Sequence, residues 1–510
     1  MHHHHHHGGS GDSMYLAKIF RFMHPHRLVV VLGICILFAS TANGQGNDPA
    51  LSRHDWLGVC GRLLFDPDAW YNERFGASLD SDGEWLVIGN PNDDTACPFD
   101  PICTAGSAYI FRRENSGTYF LWQKIVPDDI RRLDSMGRFV AIRGSTAMVE
   151  RGGEDIGGGI GAGEILIYAL RDDQWELTDS VVSGDGRQSF GFGIFKWNGN
   201  YLAINTGYLD SAGRFGDEAI EIFRNIEGVW TYQDSVSDPL GRPRADWILD
   251  LAILPDGTLA VADHFDDTRS LNAGIVRVFE PVDGRWVLTQ ELLAPDGQPF
   301  YGIGLDADAG RIAVGHAAGL VDGPTGPVVG GRVDIYERGP DQWQRTHAIG
   351  LREPMSGDAL GWNVELDGDR LLAIASDRPN PTASLPDGAW AIFDFDGSSW
   401  RQTLLASTPP WSLSSTSIAI ELDGPTTFIG HSQWSPRIGL DRVGAVAVYD
   451  IACLSCQADL DHDGVLTIFD YLTFQTAFGT GDPLADFDGD GELTLFDFQA
   501  FQTAFGQGCP

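Results

Sequence analysis

Two stretches near the C-terminus carry the residue types and spacing best suited to chemistry. Residues 459–470 read DLDHDGVLTIFD, and residues 486–497, 27 positions on, read DFDGDGELTLFD. Aspartates stand at positions 1, 3 and 5 of each run: Asp459, Asp461 and Asp463, then Asp486, Asp488 and Asp490. Gly464 and Gly491 supply the sharp turn at position 6, and Val465 and Glu492 offer a backbone carbonyl at position 7. Thr467 and Thr494 occupy position 9, and a last carboxylate, Asp470 or Asp497, closes each run. Loops that turn six or more oxygens towards one point suit a hard cation, and this spacing is that of a calcium loop. The pattern predicts two Ca2+ ions. An acidic turn would account for one such run, but here two copies each lead into a matching segment, FDYLTFQTAFG and FDFQAFQTAFG. Phe474 and Phe478, like Phe501 and Phe505, are four apart and so share a helix face.

The larger part of the chain is built from repeats. An alternating strand opened by a small residue and closed by an aromatic recurs seven times: GSAYIF, GEILIY, EAIEIF, GIVRVF, GRVDIY, GAWAIF and GAVAVY. The closing aromatics are Phe111, Tyr168, Phe223, Phe279, Tyr336, Phe393 and Tyr449, separated by 57, 55, 56, 57, 57 and 56 residues. Tryptophan follows five of them seven residues later, at Trp175, Trp230, Trp286, Trp343 and Trp400. Each repeat also holds an earlier hairpin with a Gly/Asp turn, such as LDSDGEWLVIG (79–89) and LPDGTLAVAD (254–263), a signal set by the positive φ that glycine tolerates. Four strands per repeat, repeated radially, predict an all-β, seven-bladed β-propeller.

Ring closure is also readable. The seventh repeat ends at Tyr449 without its Trp strand, whereas VCGRLLFDPD (59–68) precedes the first repeat as an orphan strand. Borrowing a strand from the other terminus removes an open edge. Residues 57–66 are therefore expected to complete blade seven. That places Cys60 near Cys453, a pairing that would lock the ring.

The blade openings FGASL, FGFGI, YGIGL and LGWNV, with IGNP (88–91) and the aromatic-to-Trp endings, resemble the FG-GAP repeat family across residues 57–452. The resemblance implies an integrin-α-like propeller used for extracellular recognition. Integrin-type repeats hold calcium in a long acidic hairpin loop. Here those turns have two to four residues, too short to wrap an ion, so the resemblance brings no such site to the propeller. Residues 453–510 resemble a type I dockerin, a small α-helical double EF-hand domain, in which Asp at position 12 is usual. The resemblance implies a calcium-dependent attachment or sorting module and a cohesin-like partner. The positions that contact cohesin are commonly small and polar, whereas here they are Ile468-Phe469 and Leu495-Phe496.

Composition and processing signals set the address. Residues 1–13 are a histidine tag with spacer. Residues 14–42 read as a signal peptide: a basic start, the apolar run Leu28 to Ala39, then Ser40-Thr41-Ala42. That run is shorter than the ~20 residues a membrane span needs. Residues 43–56 form a linker. The expectation is an exported, extracellular or cell-surface monomer with no transmembrane anchor in the mature chain. A net charge of −37 argues against nucleic acid as partner. Six cysteines remain after the signal peptide, and export favours disulfides. Six allow 15 pairings and the sequence does not choose among them; the candidates are a local Cys97–Cys103 bridge, Cys456 with Cys509 flanking the tail, and Cys60 with Cys453.

Other candidates lie on the propeller. His264, His316 and His431 each fall near the end of a second strand and, with Asn90, Thr206 and Ser376, suggest a polar ring on one face. Asp263 and His264, with Asp266 and Asp267, are a weaker cluster for a metal. No nucleophile elbow, phosphate loop or HExxH run occurs, so no catalytic residue is assigned. The reading favours a non-catalytic recognition or adhesion propeller for an extracellular protein or glycan. The alternative is a secreted carbohydrate-active enzyme, a glycoside hydrolase or polysaccharide lyase, with a dockerin-like module.

Overall fold

The computed structural model describes residues 61–66, 72–97, 103–115, 117–152, 163–184, 194–209, 215–241, 248, 250–323, 325–378, 388–407, 419–433, 442–451, 458–460, 466–482, 485, 487 and 493–507. The linker, Cys60, Cys453, Cys456, Cys509 and the N-terminal tag and leader lie outside the described residues. Among the described residues no helix is long and apolar enough to cross a membrane.

Seven antiparallel four-stranded sheets account for the repeats. Blade one runs Ser78–Ser81, Trp85–Asn90, Ser107–Arg113 and Tyr119–Ile125, innermost to outermost. Blades two to six follow the same order. In blade seven the strand Ala445–Asp450 pairs on its outer side with Gly61–Leu64, in the register Gly61 to Tyr449 and Leu64 to Val446. The N-terminal strand thus supplies the seventh fourth strand and pairs the outer side of Ala445–Asp450. One addition was not legible in the repeats: Leu320–Gly323 and Gly326–Val329 form a separate hairpin between the second and third strands of blade five.

The apolar core is divided into seven seams. Each of seven buried clusters draws on two neighbouring blades, and together they close the circle. The recurrent tryptophan sits in these seams. Trp175 of blade two meets Trp85 of blade one edge-on at 5.3 Å, and Trp286 of blade four meets Tyr201 of blade three at 5.8 Å. Backbone bonds hold the indoles in place: Gln123 donates to Trp175 O and accepts from its N–H, both at 2.9 Å, and Gln290 does the same for Trp343.

Blade one lacks a tryptophan at the expected spacing, and the register shows why. Tyr119 pairs with Arg113 as Trp175 pairs with Leu170, so a tyrosine one residue further on fills the position. It packs edge-on against Phe428 of blade seven at 5.3 Å, the seam that closes the ring. All six complete outer pairs also carry a register shift at the repeated aromatic, a bulge that strengthens the local twist.

The glycine that opens four of the aromatic strands, Gly106, Gly274, Gly331 or Gly444, has a steric cause. Gly444 lies at φ +85, and a Cβ there would sit 2.0 Å from Phe75 O, where the next blade begins. Gly331 meets Leu360 of blade six in the same way, at 2.3 Å from its N. Backbone contact between consecutive blades leaves no room for a side chain.

Candidate functional site

The inner strands of the seven blades surround a cavity of about 540 Å³ on the propeller axis. Phe139, Ile194, Ile303 and Trp362 give it apolar surface, and Asp80, Arg143, Lys196, Asp250, Asp306, Asp308, Glu365 and Glu421 are its charged lining. Matching strand registers put Asp80, Ala141, Lys196, Ala252, Asp306, Glu365 and Glu421 at one level, one residue from each blade. Asp250 lies two residues before Ala252 on the same strand.

Most of these carboxylates bond the neighbouring blade. Asp80 accepts from Ile142 N at 2.5 Å, Asp250 from Leu305 N at 2.9 Å and Asp306 from Leu366 N at 2.8 Å. A second row nearer the hairpins repeats the motif: Asp82 to Gly144 N, Asp308 to Gly368 N and Asp367 to Gly424 N. Asp423 completes that row by accepting from Ser81 Oγ of blade one at 2.8 Å. Lys196 faces the ring, with Nζ 3.9 Å from Asp306 Oδ1.

Burial and crowding set the protonation. Burial raises Asp80 and Asp250 to about 6, and raises Asp306 as well. Glu365 and Glu421 stand well above the usual carboxylate range, through burial and then through neighbouring acids. Burial opposes the charge of Lys196, but Glu365, Asp306, Asp250 and Glu421 outweigh it and hold the ammonium. The channel is therefore lined by many acids, with Lys196 and Arg143 as the cations among its lining residues.

The proposed polar ring at the second-strand ends divides. Asn90, Arg151, Thr206, Asp263, His316 and His431 share one register position, each paired with the residue four before the repeated aromatic of the third strand. His264 and Ser376 fall one residue beyond it, so the ring as read from the sequence mixes two levels. Asp263 bonds Arg277, which also holds Asp266 at 2.8 Å and Glu291 at 3.3 Å. His316 is buried beside Tyr301, with Nε2 3.1 Å from Gln298 O, next to an Arg332–Asp296 pair at 2.9 Å. Burial, with help from Arg332, lowers its pKa. His264 lies against Phe265 with the rings tilted and their centroids 4.1 Å apart. His431 is buried and pushed down to about 4 by that burial, so its imidazole is neutral near pH 7.

The tail forms two helices, Ile468–Thr480 and Leu495–Gln507. Phe474 and Phe501 stack at 4.2 Å in a small core that also buries Ala458, Ala477 and Ala485. The two halves repeat their bonding. Asp470 accepts from Leu460 N at 2.8 Å and Thr467 N at 2.7 Å, and Asp497 accepts from Phe487 N at 2.8 Å and Thr494 N at 2.6 Å. Asp470 also completes a capping box with Thr467. Asp459, Asp470 and Asp497 are wholly buried, a donor set suited to a hard cation. Asp461, Asp463 and Val465, with Asp486, Asp488, Asp490 and Glu492, lie outside the described residues. Ile468, Phe469, Leu495 and Phe496 are each more than 60 % exposed, so the helix starts present two equivalent apolar pairs.

A disulfide joins Cys97 and Cys103, with Cα atoms 5.9 Å apart. It closes the loop between the second and third strands of blade one.

These observations define the chain as a seven-bladed β-propeller followed by a small two-helix region. A family described as FG-GAP repeat matches residues 63–111, from the closing strand of blade seven through the third strand of blade one. Among curated proteins no match is found.

Proposed function

We propose that this is a secreted or cell-surface, non-catalytic recognition or adhesion propeller with a dockerin-like, calcium-dependent tail for attachment or sorting. The FG-GAP match fits such a role in general. The observation that carries the reading is the use of the channel acids: Asp80, Asp250 and Asp306 have oxygens bonded to backbone N–H groups of the next blade. Acids that join blades make the ring rigid. The apolar surface and acidic belt then favour a ligand that offers a cationic group on an apolar stem over an anionic one.

In the tail, Asp459, Asp461, Asp463, Val465, Thr467 and Asp470 would hold one Ca2+, and the matching residues from Asp486 to Asp497 the other. The ions would draw together carboxylates that otherwise repel. The exposed Ile468-Phe469 and Leu495-Phe496 pairs supply an apolar docking surface for a cohesin-like or sorting partner.

The enzyme reading draws on one observation. Glu365 and Glu421 are raised well above the usual range, as a general acid requires. A glycan and protein array run beside a polysaccharide degradation screen separates the two. Binding without release of new chain ends is expected. Turnover abolished by Glu365→Gln or Glu421→Gln would replace recognition with catalysis.

A further inference from the structure

The channel holds acceptors and donors that the propeller itself leaves unused. At the level shared by the seven inner strands, Asp80 and Asp306 accept backbone N–H groups of the next blade. Glu365 and Glu421 stand at the same level on blades six and seven and line the cavity. Neither carboxylate accepts a hydrogen bond among the described residues. Glutamate is one methylene longer than aspartate and does not make the short bridge that aspartate makes here.

Lys196 stands across the ring on blade three, between Ala141 of blade two and Ala252 of blade four. An ammonium carries three donors. This one makes no hydrogen bond among the described residues, and its nearest carboxylate oxygen is Asp306 Oδ1 at 3.9 Å. The wall also offers an aromatic face. Trp362, on the same inner strand as Glu365, packs against the seam of blades six and seven and lines the cavity. The volume of about 540 Å³ lies in the range of small-ligand sites.

Open carboxylates, an open ammonium and an indole around one cavity suit a ligand that is polar at its rim and apolar on one face. A pyranose ring has that form. Its hydroxyls donate and accept, and its C–H groups can lie against the negative face of an aromatic ring. Six acids against two cations in the lining disfavour a sugar with a carboxylate and favour one with an ammonium.

We infer, on the recognition reading above, that the channel binds a sugar residue carrying a free amino group. Glu365 and Glu421 take the ammonium, Lys196 donates to a hydroxyl, and Trp362 packs on the ring face.

The test is calorimetric titration of the full chain near neutral pH, with glucosamine and galactosamine as separate probes. At least one is expected to bind in the millimolar range. The matching hexose, which lacks the ammonium, and n-butylammonium, which lacks the hydroxyls, are each expected to bind about tenfold more weakly or less, and glucuronate not at all. Glu365→Gln with Glu421→Gln should remove the preference for the amino sugar over the hexose. Lys196→Met should weaken both about tenfold. Melting curves show whether each variant folds, and if the double variant does not, Lys196→Met decides. No uptake of either amino sugar, equal binding of glucuronate or n-butylammonium, or binding unchanged in the folded variants would overturn the site. A glycan or protein held on an array equally by the parent and by Lys196→Met would keep the recognition reading and remove the channel from it.

Discussion

The propeller and the tail use the same residue type in opposite ways. In the channel, Asp80, Asp250 and Asp306 accept backbone N–H groups across blades, and seven apolar seams carry the packing. In the tail, Asp470 and Asp497 accept from backbone N–H groups of their own loops, and one small core rich in phenylalanine and alanine backs two helices of 13 residues. A carboxylate joins elements where a rigid partner offers an N–H. Where the partner is a short loop around like charges, the proposed ion would have to offset their repulsion. The propeller should therefore keep its fold without calcium, and the tail should not.

The largest effect should come from a seam. Trp343 is 4 % exposed between blades four and five, and Trp343→Ala should cost about 3–5 kcal/mol. Chemical denaturation followed by near-ultraviolet signal should show it, with the calcium-dependent helical signal of the tail unchanged. Coupled loss of both would mean that the two regions are not independent.

The next effect belongs to the tail. Asp459→Ala with Asp486→Ala should abolish the gain in helical signal on adding calcium, while the main propeller transition stays in place. Circular dichroism with and without chelator reads this. A tail equally helical in both conditions would break the contrast.

A pH series should separate the two uses of carboxylate. Asp80 and Asp250 have folded pKa values of about 6, above the ~3.9 of an unfolded aspartate. The folded state then holds more protons than the unfolded one, so their contribution is largest below pH ~4 and is lost as pH rises through about 6. Asp80→Asn with Asp250→Asn should flatten that part of the profile. Calcium uptake by the tail should run the other way, because its ligands must be ionised. Melting curves between pH 4 and 7 check both signs.

The smallest effect is local. Thr467→Ala removes the N-cap of the first tail helix, whose Oγ1 accepts from Phe469 N at 3.1 Å, and should cost ~1 kcal/mol of tail stability. A shift in the calcium concentration needed to fold the tail would report it.

Much of the blade architecture was legible because each repeat places the same residue against the same neighbour. The aromatic marks the bulge, the opening glycine marks backbone contact, and the tryptophan marks the seam. Tyr119 escaped notice because both its identity and its spacing change, and only the register restores it. The inter-blade bonds were not legible, since Asp80 and Ile142 stand 62 residues apart and nothing local names the partner. The polar ring was misaligned at His264 because a one-residue offset at a strand end leaves no trace in a pattern of alternating apolar residues.

Calorimetry of the unmodified chain, with and without chelator, tests the contrast between the regions most directly. Two transitions are expected in calcium: a large one from the propeller and a small one from the tail. Chelator should remove the small transition and leave the large one in place. If chelator instead unfolds the propeller, or leaves the tail transition untouched, the division of roles between seams and ions is wrong.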